Sequence, residues 1–239
     1  MSRTLLTLAA LPLLAACTRA PTPAAADPQP APAATAPAAT TPEPESKPEP
    51  DASTDTWELP GSLHPLTTQA ELEARFGKQN VREETVRGGE GIGTYPILAI
   101  FPDEPRKRLE LVMDEGNKDS PIRVLRVKAQ DSVWHAASGV YPGMTLPQLA
   151  ALNAAPVSFY GLGWDYSGTV QDWHGGRLAN AVGDTLFQGV VLGPKADAAT
   201  DGLPMGDSTF RSDNPALADT ADRLVVTELS ISWPHDDEG

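Results

Sequence analysis

The sequence predicts an α+β fold: an antiparallel β-sheet packed by short helices, arranged as two similar helix-then-meander units in tandem. Three observations predict it. Two short helical stretches, LTTQAELEARFGKQNV (66–81) and GMTLPQLAALNAAPV (143–157), each open on a capping threonine. Each is followed by strand-like runs with alternating apolar residues rather than by another helix. The segment that holds them, about residues 57–233, suits one medium domain or two small ones.

Ahead of that segment, residues 1–16 read as a signal peptide. Arg3 supplies the positive charge, and Thr4–Ala16 is an uncharged Leu/Ala-rich run. The run is too short to cross ~30 Å of hydrocarbon as a helix and fits a secretory signal. Leu14-Ala15-Ala16-Cys17 resembles the lipobox of bacterial lipoproteins. That resemblance implies that Cys17 becomes the first mature residue, carries lipid such as palmitate, and anchors the chain in a membrane. At about 0.8 kcal/mol per buried CH₂, several acyl chains anchor lastingly without a spanning helix. Thr18 follows in place of Asp, which by the same resemblance implies a periplasm-facing lipoprotein of the outer rather than the inner membrane. Cys17 is the only cysteine, so the folded part holds no disulfide, thiol nucleophile or thiolate metal site.

Residues 17–56 are expected to be a disordered tether. They are mostly Pro, Ala, Thr and acidic residues without large apolar side chains to bury. Closely spaced prolines bias such a chain to polyproline II, whose ~3.1 Å per residue gives a reach of order 100 Å.

The first unit is expected over 57–142. Thr67 or Thr68 caps its helix, Glu71 completes a capping box, Leu72 and Phe76 share one face, and Gly77 ends it in the left-handed conformation. Strands follow at 93–101, 106–114 and 122–127, the middle one alternating Leu109, Leu111 and Met113 with Arg108, Glu110 and Val112. The second unit, 143–239, opens with Thr145 as cap and Pro147 in the first turn. Leu149 and Leu152 form its face, and Asn153 with Pro156 close it. Its strands are read in the aromatic stretch and at 177–182, 185–193 and 223–233. In the last of these, Val225, Thr227, Leu229, Ile231 and Trp233 share one face. An acidic loop, 193–222, interrupts the unit and is expected to hold a short helix near Pro215–Ala221. It lacks the calcium-loop pattern and suits either a functional loop or a cover for the sheet edge.

A helix followed by an antiparallel meander, repeated in tandem, resembles the β-lactamase-inhibitor-protein fold and the small lipoproteins of the outer-membrane assembly machinery that share that unit. GMTLPQL (143–149) is similar to their helix opening, and GLGWDYSGTV (161–170) resembles a motif of uncharacterised bacterial lipoproteins. The resemblance implies a binding module whose concave sheet meets another protein. It carries over no functional residue.

The candidate site is FYGLGWDYSGTVQDWHGG, 159–176, which gathers Phe159, Tyr160, Trp164, Tyr166 and Trp173 in a chain otherwise poor in aromatics. Read as a strand, it puts Trp164, Tyr166 and Val170 on one face and Asp165 and Trp173 on the other, with Gly175-Gly176 as a hairpin turn. Either its rings fill the core, or Trp164, Tyr166, Trp173 and His174 form a binding face, with Trp173 the ring expected in solvent. Catalytic motifs are missing: no G-x-S-x-G, H-E-x-x-H, S-x-x-K or G-x-x-x-x-G-K occurs. GGEGIG (88–93) leads into a strand, not the helix a phosphate loop needs. His64, His135, His174 and His235 are scattered, so no metal site or cofactor is expected.

The chain carries 18 basic and 32 acidic residues, net −14. The acidic excess persists after residue 56, since the first 56 residues hold Arg3, Arg19 and Lys47 against Asp27, Glu43, Glu45, Glu49, Asp51 and Asp55. Nucleic acid is therefore excluded as a partner. The expectation is a non-catalytic envelope lipoprotein that binds an envelope protein partner. The alternative is a binder of peptidoglycan or another glycan through the aromatic hairpin, and the third reading is a hydrolase without a recognised motif.

Overall fold

The computed structural model describes residues 57–88, 93–114 and 120–234. The signal segment, Cys17, the tether, the centre of GGEGIG and His235 lie outside the described residues. The described residues form one compact unit.

The chain begins with β1 (Glu58–Leu59) and then α1 (Gln69–Phe76). Thr68 is the cap: its Oγ1 accepts from Glu71 N at 3.3 Å, and Glu71 Oε2 accepts from Thr68 N at 2.8 Å. Leu72 and Phe76 are buried as the spacing requires. Gly77 ends the helix at φ 87, ψ 135. The positive φ is as expected, but the ψ is extended, not left-handed helical, and leads into a 3₁₀ turn at Lys78–Asn80.

Four strands then run as an antiparallel meander: β2 (Val81–Arg87), β3 (Thr94–Ile100), β4 (Leu109–Met113) and β5 (Ile122–Val127). After β6 (His135–Ala136), which pairs in parallel with β1, comes α2 (Leu146–Asn153). Thr145 and Gln148 close a second capping box, with Thr145 N donating to Gln148 Oε1 at 2.9 Å. The buried face of α2 is Leu146, Leu149 and Asn153, with Leu152 half-buried against the same core. Ala154, in the left-handed conformation, ends the helix.

Beyond α2 the strands divide between two sheets. β7 (Ser158–Tyr160), β8 (Val170–Asp172) and β10 (Thr209–Arg211) form a three-stranded annex in the order β10-β7-β8. β9 (Phe187–Pro194) and β11 (Leu224–Ser232) extend the meander into a six-stranded sheet, β2-β3-β4-β5-β11-β9. The α+β class with an antiparallel sheet and short helices holds. One sheet crosses the boundary expected at 142/143, and the topology does not establish a repeated unit.

Both helices pack on one sheet face. Leu72 and Phe76 from α1, and Leu146 and Leu149 from α2, join Leu98, Leu111, Leu125, Leu229 and Ile231 in one core. At its end Trp134 is 2% exposed, stacks edge-on to Trp57 at 4.9 Å, and donates its indole N–H to Lys107 O at 2.7 Å. Apolar burial at roughly 25 cal/mol per Å² is what holds helices this short.

Three local expectations fail for stated reasons. Residues 177–182 form turns rather than a strand. In β11 a bulge between Val226 and Glu228 shifts the alternation, so Leu224, Val226, Leu229 and Ile231 face the core while Val225 and Thr227 drop out of phase. The acidic stretch contains β10 and two 3₁₀ turns, Pro215–Leu217 and Ala221–Arg223, in place of a single short helix. Through β10 it covers one edge of β7.

The sheet face away from the core carries charge. Register aligns Arg82, Ala99, Glu110, Arg126, Ser230 and Gly189 across all six strands. Arg108 bonds Glu84 at 2.7 Å, and Arg126 bonds both Glu110 at 2.8 Å and Tyr95 OH at 2.8 Å. The Arg108 hydrogen bond, opposed by burial and aided by Arg82, holds the Glu84 carboxyl below its ordinary range.

Candidate functional site

The aromatic stretch is not one strand. It leaves the sheet after Tyr160, turns through 163–168, and returns as β8. Glycine makes the turn feasible. Gly163 and Gly168 have φ 89 and 72, and a Cβ on Gly168 would lie 1.8 Å from Leu192 O. Gly168 O in turn accepts from Leu192 N at 2.9 Å, tying the turn to β9.

The turn sorts the rings by depth. Phe159 is fully buried and stacks on Phe210 with centroids 6.2 Å apart. Tyr160, Trp164 and Tyr166 gather on the surface, with centroid separations of 5.0 Å for Tyr160–Trp164, 5.3 Å for Trp164–Tyr166 and 6.2 Å for Tyr160–Tyr166. Tyr166 is 55% exposed, and Met205, whose methyl would meet a Cβ on Gly163 at 2.9 Å, is 59% exposed. The cluster is braced by Trp164 Nε1 donating to Gly161 O at 2.9 Å and Gly163 N donating to Ser167 Oγ at 3.0 Å.

Trp164 and Tyr166 thus come together, whereas Trp173 and His174 sit past β8 at a different place. Tyr166, not Trp173, is the most open of these rings. Trp173 is half-buried against the core. Gly176 N donates to Trp173 O at 2.9 Å and closes a turn, but no strand follows it, so the Gly175-Gly176 hairpin does not form and Asn153 holds the chain on either side. Asn153 is 0% exposed. Its Nδ2 donates to Ala155 O at 3.0 Å, Pro156 O at 3.2 Å and Trp173 O at 2.9 Å, while its Oδ1 accepts from Leu178 N at 3.0 Å. A Cβ on Gly176 would strike that side chain at 2.3 Å, so the position suits only glycine.

His174 points the other way. Its Nε2 stands 2.7 Å from Ser158 Oγ, and its Nδ1 is 3.5 Å from Asp172 Oδ2. The order of groups is that of nucleophile, base and orienting acid. Their environment differs from that of a triad: Ser158 is 7% exposed, and the Asp172 side chain, the member a triad buries, is 58% exposed. Asp172 Oδ1 also accepts the His174 N–H at 2.6 Å, an Asx turn that holds His174 at φ 49. These bonds pin the turn after β8 to β7.

No protein family, curated protein or solved structure matches this chain. The site therefore rests on its own geometry. Among the described residues no three of His, Cys, Asp and Glu gather closely enough to hold a metal ion. No helix among them is long and apolar enough to cross a membrane.

Sequence reasoning missed three contributors. Met205 is distant in sequence and reaches the ring cluster through a bridge between Leu162 and Met205. Asn153 looked like a helix terminator, although an Asn followed by Ala-Ala-Pro is also a side chain with free backbone carbonyls near it. Phe187 was read as part of a strand, and its 62% exposure gave no local signal.

Proposed function

We propose that this chain is a lipid-anchored envelope protein whose folded part is a non-catalytic binding module for another envelope protein. The observation that carries the reading is the surface cluster of Tyr160, Trp164 and Tyr166 with Met205 beside it. Interface cores are enriched in Trp, Tyr and Met, and a few such residues carry most of the binding energy. The bracing of the turn lowers the ordering cost on association. The lipobox at Leu14–Cys17 and the long tether support a domain held clear of a membrane, facing the periplasm from the outer rather than the inner membrane. The resemblance to β-lactamase-inhibitor-protein-like lipoproteins points to the same class of function.

The test is a photo-cross-linking residue in place of Tyr166, expressed in cells in the full chain. Recovery of one stoichiometric envelope protein, lost when Trp164 is also changed to Ala, is the expected result. A cross-link pattern indistinguishable from that of an exposed control such as Glu83 would refute the site. For the anchor, Cys17→Ser is expected to move the protein from the membrane to the soluble fraction and to abolish palmitate labelling.

A further inference from the structure

A second site lies past β8, apart from the ring cluster. A cleft of about 300 Å³ is lined by Trp173, Leu178, Asn180, Asp184, Phe187 and Gln188, among others. That is the low end of the range for small-ligand clefts. We infer that this cleft binds an uncharged sugar ring.

The first argument is the balance of its walls. Trp173 and Phe187 supply aromatic surface, and Phe187 is 62% exposed, an unusual state for a phenylalanine at the start of a paired strand. Asn180, Asp184 and Gln188 supply hydrogen-bonding groups on the same lining. A pyranose has one apolar face of C–H groups and a rim of hydroxyls, so it answers both kinds of surface at once.

The second argument is an unmet hydrogen bond. Gln188 Oε1 accepts from Ser138 Oγ at 2.5 Å, while its Nε2 is buried and has no partner. Turning the amide over exchanges the two ends and still leaves one of them unpaired. Leaving a buried polar atom unpaired costs about 1–3 kcal/mol; rotating the Gln188 amide toward the cleft it lines lets a ligand hydroxyl relieve that cost whichever end is free, because a hydroxyl both donates and accepts.

The third argument is charge. The lining holds Asp184 and no basic residue, and the chain carries net −14, so an anion is repelled. A cation would suit Asp184 and the rings, but it answers the Gln188 amide only when the amide oxygen is the free end, whereas a hydroxyl answers either end. The neutral polyhydroxylated ring satisfies all three conditions. The cleft is also preorganised. Asn153 fixes Trp173 and Leu178 from below, and β9 holds Phe187 and Gln188 in register with Ser232 and Ile231.

The test titrates the full chain with N-acetylglucosamine, its β-1,4 trisaccharide and maltotriose. Tryptophan fluorescence and saturation-transfer NMR are the readouts. Saturable binding of at least one probe is expected, weakened at least tenfold by Phe187→Ala, a change at an exposed position that leaves the core intact. Tyr166→Ala is expected to leave sugar binding unchanged, which separates this site from the proposed protein interface. Preference for the N-acetylated trisaccharide would assign the ligand to cell-wall-type glycans, and preference for maltotriose to free oligosaccharides. Absence of saturable binding by all three probes, or unaltered binding in the Phe187→Ala chain, would overturn the inference.

Discussion

Asn153→Ala should be among the most damaging single substitutions in this domain, because of the hydrogen bonds its side chain makes. Its side chain answers three backbone carbonyls and one backbone N–H, all within 3.2 Å. Truncation to Ala removes all four bonds at a position that is 0% exposed. A buried polar group left unpaired costs about 1–3 kcal/mol, and allowing for water reaching some of the carbonyls the sum is about 3–5 kcal/mol. Equilibrium unfolding in urea, followed by circular dichroism, is the assay, with the slope compared between variants so that a shifted midpoint reads as stability. Because the bonds hold Trp173 and Leu178, the variant's tryptophan emission should also shift to the red before global unfolding. Asn153→Asp retains the acceptor for Leu178 N but faces three carbonyls with a carboxylate, so it should be no better than Ala. A loss below about 1 kcal/mol for Asn153→Ala would refute the claim that this side chain organises the segment.

Three further outcomes follow from the same structure. Gly168→Ala should cost at least about 2 kcal/mol, since the added Cβ at φ 72 meets Leu192 O, and it should disperse the ring cluster, read by near-ultraviolet circular dichroism. Glu84 has a folded-state pKa below its unfolded value, so its contribution is present above the ordinary carboxylate range and is lost as pH falls through the folded value. Glu84→Gln should therefore flatten the acid limb of the stability profile below about pH 4.3 and leave its shape at neutral pH unchanged, as tested by urea midpoints from pH 7 to pH 3. Ser158 should not react with a fluorophosphonate probe, and mass spectrometry showing Ser158 labelled, with loss of label in His174→Ala, would reinstate the hydrolase reading.

Helix starts were legible because capping is local. Thr68 with Glu71 and Thr145 with Gln148 are each set by residues three apart, and both boxes form. The strands with a clean alternation, β4 above all, were legible for the same reason: one buried face imposes period two. β2 was not read as a strand, since VREETVR is mostly charged. Such a composition protects an edge strand, and only its pairing with β3 reveals it. The bulge in β11 was hidden because LVVTELSISW keeps an apolar residue at either phase. The site was legible in composition but not in geometry. Aromatic density marked 159–176, and alternation kept Trp164 with Tyr166 and apart from Trp173, yet it assumed an extended chain where Gly163 and Gly168 turn it, and so it missed Tyr160 as the third ring of the cluster.

Where this domain can receive a partner follows from what each sheet face already holds. One face of the six-stranded sheet is filled by both helices. On the other, Ile97 and Ala99 are 1% and 0% exposed, and Glu84, Glu110, Arg108 and Arg126 are engaged with one another or with Tyr95. A partner docking there would have to displace charge pairs already made, exchanging one set of ionic bonds for another with little gain. The annex differs: Tyr166 is open, its turn is braced by glycine contacts and backbone bonds, and no charge pair must be broken to reach it. On the proposed reading, binding belongs to the half of the chain after α2, where β7, β8 and β10 leave the main sheet, and the charge ladder belongs to stability. Disabling the ladder with Glu84→Gln should lower the urea midpoint while the Tyr166 cross-link persists. Trp164→Ala should abolish the Tyr166 cross-link, and a cross-link that persists in Trp164→Ala but is lost in Glu84→Gln would reverse this assignment of faces.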